Sequence, residues 1–169
     1  MTRDWRFRLK WLRAAGVAGV ITPNLPDGFP GLHAVAHEDS IGIPETLFRI
    51  TPSLPEVRRV GRVVWARSPS AASEAFEANG FDEGSSVVLE GMPLAHPFAP
   101  GSAAIVYDAP DELLITTAGA ESGILFVART YRQNTRAWCN GVPITVYPAN
   151  VHLIGLVIPS GRGTVRLRL

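Results

Sequence analysis

The last third of the chain alternates short apolar segments with turn residues, and this pattern constrains the fold more than any other feature. Six segments have the length and alternation of β-strands: residues 113–117, 123–131, 137–139, 142–147, 151–158 and 164–169. Asn140-Gly141 lies between two of them, and both residues tolerate the positive φ of a two-residue hairpin. Short strands joined by tight turns are typical of packed antiparallel sheets. We therefore expect an antiparallel, jelly-roll-like β-sandwich here.

The first ninety or so residues mix helix and strand signals. Asp4 can cap a helix that ends near Gly16, and Ser68-Pro69 with Asn79-Gly80 marks the start and end of a second helix. Strand patterns occupy residues 17–22, 32–36, 45–50, 57–67 and 86–90, and proline-rich loops occupy 23–30 and 91–101. The chain is thus predicted to be mainly β, with a small α+β lobe over 1–91 and the sandwich over 101–169, or with both in one continuous domain.

The charge of the chain limits its partners. The net charge is +1, so no overall field favours nucleic acid, and we expect no nucleic-acid partner. The basic excess is local, in the first thirteen residues, where a helix could either dock on a membrane surface or pack on the sheet with solvated arginines. The start lacks the apolar segment of a secretory signal, and no run reaches the length of a membrane span.

The sequence contains few of the residue patterns that are typical of catalytic or metal-binding sites. Cys139 is the single cysteine, so an intramolecular disulfide is excluded and a buried free thiol is expected. His33 and His37 fall on one face of a predicted strand about 13 Å apart, too far for a shared metal. No nucleophile elbow, dinucleotide fingerprint or Walker lysine occurs, so we expect no cofactor and no metal.

The carboxylates leave one enzymatic alternative open. They fall mostly at predicted turns: Asp82, Glu83, Asp108, Asp111, Glu112 and Glu121. Solvated turn acids explain them, but two that faced each other across a cleft could act in a carbohydrate-active enzyme, a glycoside hydrolase or transferase. The chain is more typical of a binding protein than of an enzyme.

Three aromatic residues and two arginines form the hypothetical ligand-binding set. Trp138, Tyr131 and Tyr147 lie on neighbouring predicted strands, and their amphipathic rings could form a platform for a sugar ring. Core packing is the competing use, and an inward Trp138 is the expectation for this hairpin. Arg132 and Arg136 lie beside them, and arginine donates to sugars and phosphates in a fixed fork.

The order of several motifs resembles a known bacterial family. The motifs are Leu12-Arg13-Ala14-Ala15-Gly16-Val17-Ala18-Gly19-Val20-Ile21-Thr22, Leu47-Phe48-Arg49-Ile50 with Leu54-Pro55-Glu56-Val57, Phe81-Asp82-Glu83-Gly84-Ser85-Ser86-Val87-Val88-Leu89-Glu90, Gly123-Ile124-Leu125-Phe126-Val127-Ala128, Ala137-Trp138-Cys139-Asn140-Gly141 and Ile158-Pro159-Ser160-Gly161. Together they resemble the C-terminal extracytoplasmic region of YfhO-like membrane proteins, relatives of the GT-C-type glycosyltransferases. Asn140 stands where that family usually has an aspartate, which suits a turn but not a carboxylate role.

The resemblance implies an accessory domain without the catalytic apparatus, because the family's catalytic acid lies in a loop between membrane helices. It also implies that the protein is located at the extracytoplasmic face of a bacterial membrane. The partner that it implies is a glycan or envelope polymer, or else a membrane or a membrane protein. From this we expect a non-catalytic module that binds or positions glycan or protein partners. The alternatives are the carbohydrate-active enzyme and a structural domain that docks on the membrane surface.

Overall fold

A computed structural model describes residues 2–22, 29–38, 45–95 and 97–169, with side chains from residue 8 onward. The described chain is mainly β, with several antiparallel sheets and a sandwich-like arrangement, as the sequence predicts. It divides into two compact units, Met1–Pro55 and Glu56–Leu169. The sequence places its boundary at 91–101, whereas residues 57–90 lie in the second unit together with the sandwich strands.

The first unit is a helix with a small sheet. Helix α1 covers Thr2–Ala14, and strands β1, β2 and β3 cover Gly19–Thr22, Leu32–Glu38 and Glu45–Ile50. The strands pair antiparallel in the order β1-β3-β2. Leu9 of the helix is buried with Phe29, Leu32, Phe48 and Ile50. The helix therefore uses its apolar side within this unit, and most of the predicted 23–30 loop lies outside the described residues.

Among its described residues, the second unit contains two sheets and one helix. Its elements are β4 (Val57–Val60), β5 (Arg62–Ala66), α2 (Pro69–Glu77), β6 (Ser86–Glu90), β7 (Ser102–Ala109), β8 (Glu112–Gly119), β9 (Gly123–Thr130), β10 (Arg136–Cys139), β11 (Val142–Ile144), β12 (Val146–Ala149), β13 (Leu153–Ile158) and β14 (Gly161–Arg168). The five-stranded sheet has the order β11-β10-β14-β8-β7, and the six-stranded sheet has the order β4-β9-β13-β12-β6-β5.

The main core lies between these two sheets. Alternate residues of β8, β10 and β14 in one sheet face aliphatic residues of β9 and β13 in the other. The first sheet contributes Leu113, Ile115, Ala137, Cys139, Val165 and Leu167 to this core, and the second contributes Leu125, Val127, Ile154, Leu156 and Ile158. The intervening residues of β9, Ile124 and Phe126, enter a second apolar cluster on the opposite face of the six-stranded sheet. Strand β9 is therefore a continuous apolar run because both of its faces are buried.

The two edge strands of the six-stranded sheet come together at one end. Strands β4 and β5 form opposite edges of the sheet, yet Gly61 alone separates them in the chain. Because consecutive Cα atoms are about 3.8 Å apart, the edges must come together at this residue. The predicted single strand over 57–67 is therefore wrong, since the chain turns a corner at Gly61.

The signals at α2 and at Asn140-Gly141 are confirmed, whereas α1 begins at Thr2, before the predicted cap Asp4. Ser68 caps α2, its hydroxyl accepting from the backbone N–H of Ala71 at 3.2 Å, and Pro69 is the first helical residue. Asn140 and Gly141 have φ values of 51° and 81° in the tight turn between β10 and β11. The predicted strand over 142–147 is instead two strands, because β11 pairs in the five-stranded sheet and β12 in the six-stranded sheet.

Candidate functional site

Trp138 points away from the sandwich core. Its neighbours Ala137 and Cys139 are buried in the main core, and successive residues of a strand point to opposite faces. Trp138 itself is half-buried. The expectation of an inward Trp138 is therefore wrong. The inward positions on either side of it hold small residues.

A depression of about 400 Å³ lies beside Trp138. Tyr131, Arg136 and Pro143 also line it, so three of the five sequence-predicted site residues come together here. Arg136 is held in place by its guanidinium, which donates to the backbone oxygens of Gln133 and Thr135, both at 3.0 Å. The floor and walls thus combine an indole, a phenol and an anchored cation, a combination that suits a ligand with apolar faces and polar edges.

Trp138 belongs to a row of side chains across the exposed face of the five-stranded sheet. It pairs with Arg166 on β14, which pairs with Leu114, which pairs with Tyr107. Three strand spacings separate Trp138 from Tyr107, about 14 Å. Arg166 donates to both carboxylate oxygens of Glu112, at 2.7 and 3.0 Å, and these hydrogen bonds hold the pKa of Glu112 below its ordinary value. The Arg166 guanidinium is therefore directed towards β8, on the side of β14 opposite to Trp138.

A groove of about 580 Å³ adjoins this row on the same sheet. Its floor is made of small residues on three neighbouring strands, Ala104, Thr116 and Thr164 among them. Arg162 and Asn140 stand beside it, and the Asn140 side-chain oxygen accepts from the backbone N–H of Thr164 at 2.9 Å. The groove offers hydroxyl, amide and guanidinium groups. The Trp138 depression lies at the β11 edge of this sheet, where Tyr131, Ile144 and Val146 also pack against the main core. We call the surface formed by the groove, the Trp138 row and this edge depression the open sheet face.

The other two predicted site residues lie elsewhere. Tyr147 is on β12 and packs against Trp65 with ring centroids 5.6 Å apart, as part of the second apolar cluster. Arg132 is exposed in the connection between β9 and β10, where its backbone N–H donates to the Thr135 hydroxyl at 3.2 Å. The structure thus assembles Trp138, Tyr131 and Arg136, and it separates Tyr147 from them.

The histidines form no metal site in the part of the chain that the structure describes. His33 and His37 are exposed on β2, and the ring of His37 lies 2.8 Å from the Thr46 hydroxyl. His152 is exposed, and His96 lies outside the described residues. No group of three or more metal-binding side chains occurs among the described residues.

Several carboxylates lie beside arginines. Asp108 and Glu56 both pair with Arg129, and Glu112 pairs with Arg166. Glu83 is buried rather than solvated, and its charge acts on the nearby Arg58. The carboxylates of Asp108, Glu56 and Glu112 are therefore engaged in ion pairs with arginines.

Two buried arginines support the sandwich from β4. Arg58 lies over the Phe126 ring, 4.0 Å from its centroid, and burial lowers its pKa to about 10 although Glu83 and Asp82 partly oppose this. Arg59 points into the space between the sheets, where its guanidinium donates to Thr117 Oγ1 at 3.3 Å. It also donates to the backbone oxygen of Pro159 at 3.2 Å and to the backbone oxygen of Glu121. Sequence reasoning missed both, because arginine side chains are rarely buried.

Fold and surface together define a sandwich-like β protein with an aromatic and cationic open sheet face. Comparisons with family models, with curated proteins and with solved structures found no match. Neither helix in the described part of the chain has the length and apolar content that crossing a membrane requires.

Proposed function

We propose that this protein is a non-catalytic recognition module that binds a glycan on the open sheet face. The single observation that carries the proposal is the outward Trp138, which lines a depression of about 400 Å³ with Tyr131 and Arg136. A sugar ring presents an apolar face to an aromatic ring and hydroxyls to its surroundings. An indole beside fixed polar donors matches this chemistry.

The surroundings of Trp138 give the site its rigidity. Arg136 is tied to two backbone oxygens, so its guanidinium is held at the depression before a ligand arrives. Preordered side chains cost less entropy on binding than free ones. The hydroxyls and amide of the adjoining groove supply further hydrogen-bonding groups for a longer glycan.

We further propose, from the family resemblance, that the module serves at the extracytoplasmic face of a bacterial membrane. There it would position a glycan or envelope polymer, or a protein partner, for an envelope glycosyltransferase-like membrane protein. The support is the ordered set of motifs that runs from the first helix to the turn before the last strand. Asn140 occupies the turn position of this pattern and adopts a positive φ of 51°.

A glycan panel tests the proposal. Binding is measured for the full chain and for Trp138→Ala and Trp138→Phe. Removing an aromatic contact worth about 1.4 kcal/mol weakens affinity about tenfold, and we expect phenylalanine to restore part of it.

Val142→Ala is the matched control, because Val142 is 63% exposed on the neighbouring strand and lies outside the depression. We expect this variant to bind as the parent does. Equal glycan affinities for the parent and Trp138→Ala would contradict the proposal that glycans bind at Trp138. Turnover of a glycoside by the parent, abolished by one carboxylate-to-amide change, would replace it with the enzyme alternative.

A further inference from the structure

The open sheet face carries a local excess of positive charge. Four arginines project from it, Arg136 on β10 and Arg162, Arg166 and Arg168 on β14. Among the described residues on this face, Glu112 is the acidic side chain, and it is already paired with Arg166. Asp111 and Glu121 lie in turns at its two ends. The whole chain has a net charge of +1, so this surface is more basic than the molecule that carries it.

The arginines are spaced along one strand. Outward residues of β14 recur at every second position, about 6.7 Å apart, so Arg162 and Arg168 are about 20 Å apart. Arg162 stands at the groove of about 580 Å³, and Arg166 is the cross-strand neighbour of Trp138. Thr164 lies between them and lines the groove. A single chain lying across the face can therefore meet the groove, Arg166 and the indole in succession.

From this arrangement we infer that the ligand is an acidic polysaccharide, a polymer of sugars that carry carboxylates. The inference rests on the proposed function, because Trp138 supplies the contact with the sugar ring. Guanidinium forks match carboxylates bidentately, and Arg162 forms no ion pair with any described residue. Thr116, Thr164 and Asn140 supply groups for sugar hydroxyls. Nucleic acid is disfavoured, because its phosphate backbone is usually bound by strongly basic proteins.

The test uses matched acidic and neutral probes with the full chain. The acidic probe is a polygalacturonate oligosaccharide, and the neutral probe is the same oligosaccharide after its carboxyl groups are reduced. We expect the acidic probe to bind about tenfold more tightly at low salt. This preference should shrink as the ionic strength rises from about 0.05 M to about 0.5 M, because exposed charges are then screened.

Two substitutions locate the effect. Arg162→Gln should weaken binding of the acidic probe about tenfold more than it weakens binding of the neutral probe. Arg62→Gln is the control, because Arg62 is an exposed arginine on the six-stranded sheet. Thermal midpoints of both variants should stay within about 2 °C of the parent, which shows that they are folded.

The outcomes separate this inference from the proposed function. Equal affinity for the two probes, with loss of both in Trp138→Ala, overturns the acidic class and leaves glycan binding intact. Binding of neither probe, in a panel where no glycan binds, overturns both. Tighter binding of a single-stranded oligonucleotide than of polygalacturonate at the same salt overturns the inference in favour of nucleic acid.

Discussion

Arg59 shows how a buried charge is accommodated in this sandwich. Its side chain is enclosed by Gly101, Gly119 and Gly123, and a Cβ at any of the three would come within 2.7 Å of Arg59 atoms. At Gly119 the added carbon would lie 2.5 Å from Cζ. The glycines are therefore required by the close approach of the guanidinium, whose hydrogen bonds tie the two sheets together.

A double-mutant cycle tests this arrangement. Gly119→Ala should destabilise the fold by about 1–3 kcal/mol, since the methyl group overpacks a filled site. Arg59→Met should also destabilise it, because buried carbonyl oxygens lose their donor. In the double variant the two penalties should be less than additive, because the clash needs both side chains. Strictly additive free energies of unfolding in denaturant titrations would contradict the account.

Cys139 is the expected buried free thiol. Burial raises its pKa, and the nearby Arg59 charge opposes this only in part. The thiolate, which is the reactive form, is therefore scarce in the folded protein. We expect an aromatic disulfide reagent at pH 8 to react about a hundredfold more slowly with the folded chain than with the urea-unfolded chain. Equal rates would show that Cys139 is accessible.

At the scale of single elements, helix α2 is specified locally. Ser68→Ala removes the cap hydroxyl that accepts from Ala71, and we expect a loss of about 1 kcal/mol in the free energy of unfolding. Ser70→Ala is the matched control, because Ser70 is an exposed serine within the first turn. Its effect should stay within about 0.5 kcal/mol. Equal losses in the two variants would show that the cap hydroxyl does not stabilise the helix.

The ion pair on the open sheet face predicts a pH dependence. The hydrogen bonds from Arg166 lower the pKa of Glu112 in the folded state relative to the unfolded state. The stabilisation is therefore present above the ordinary glutamate pKa of about 4.3 and is lost as the pH falls through the lower, folded-state value. In Arg166→Gln, the Glu112 carboxyl should titrate at a higher pH by NMR. An unchanged titration would contradict the ion pair.

Sequence patterns predicted the local elements better than the partners of each strand. The turn at Asn140-Gly141, helix α2 and the alternation of the last strand are all confirmed. Strand β7 was missed although it contains Ile105, Val106 and Tyr107, because an irregularity in pairing between Ile105 and Tyr107 breaks the simple alternation of apolar and polar residues. The breaks within 57–67 and 142–147 were missed because extended backbone continues through each change of pairing partner.

The same limit applies to the open sheet face. Sequence reasoning found Trp138, Tyr131 and Arg136 but placed Trp138 inward, because a large aromatic residue is usually buried. The alternation of apolar residues with arginines in the last strand also predicted that one side of this strand is cationic. What could not be predicted is the cross-strand register that sets Arg166 beside Trp138, and the assignment of Tyr147 to the other sheet.

For the whole molecule, the main core lies between two sheets of the second unit, and the first unit has its own core around Leu9 and Phe48. We expect residues 56–169 to fold on their own, because this unit contains both sheets, α2 and the open sheet face. A cooperative unfolding transition and the full-chain glycan affinity for this fragment are the expected results. A molten fragment with no cooperative transition would contradict the division.

The most direct test of the central claim is the indole N–H resonance of Trp138 in a titration with a bound glycan. The resonance is assigned by its loss in Trp138→Phe. The account predicts that it shifts with glycan concentration in step with binding, because the ring lies outward in the depression. Binding that moves other resonances and leaves the Trp138 indole unchanged would contradict the account.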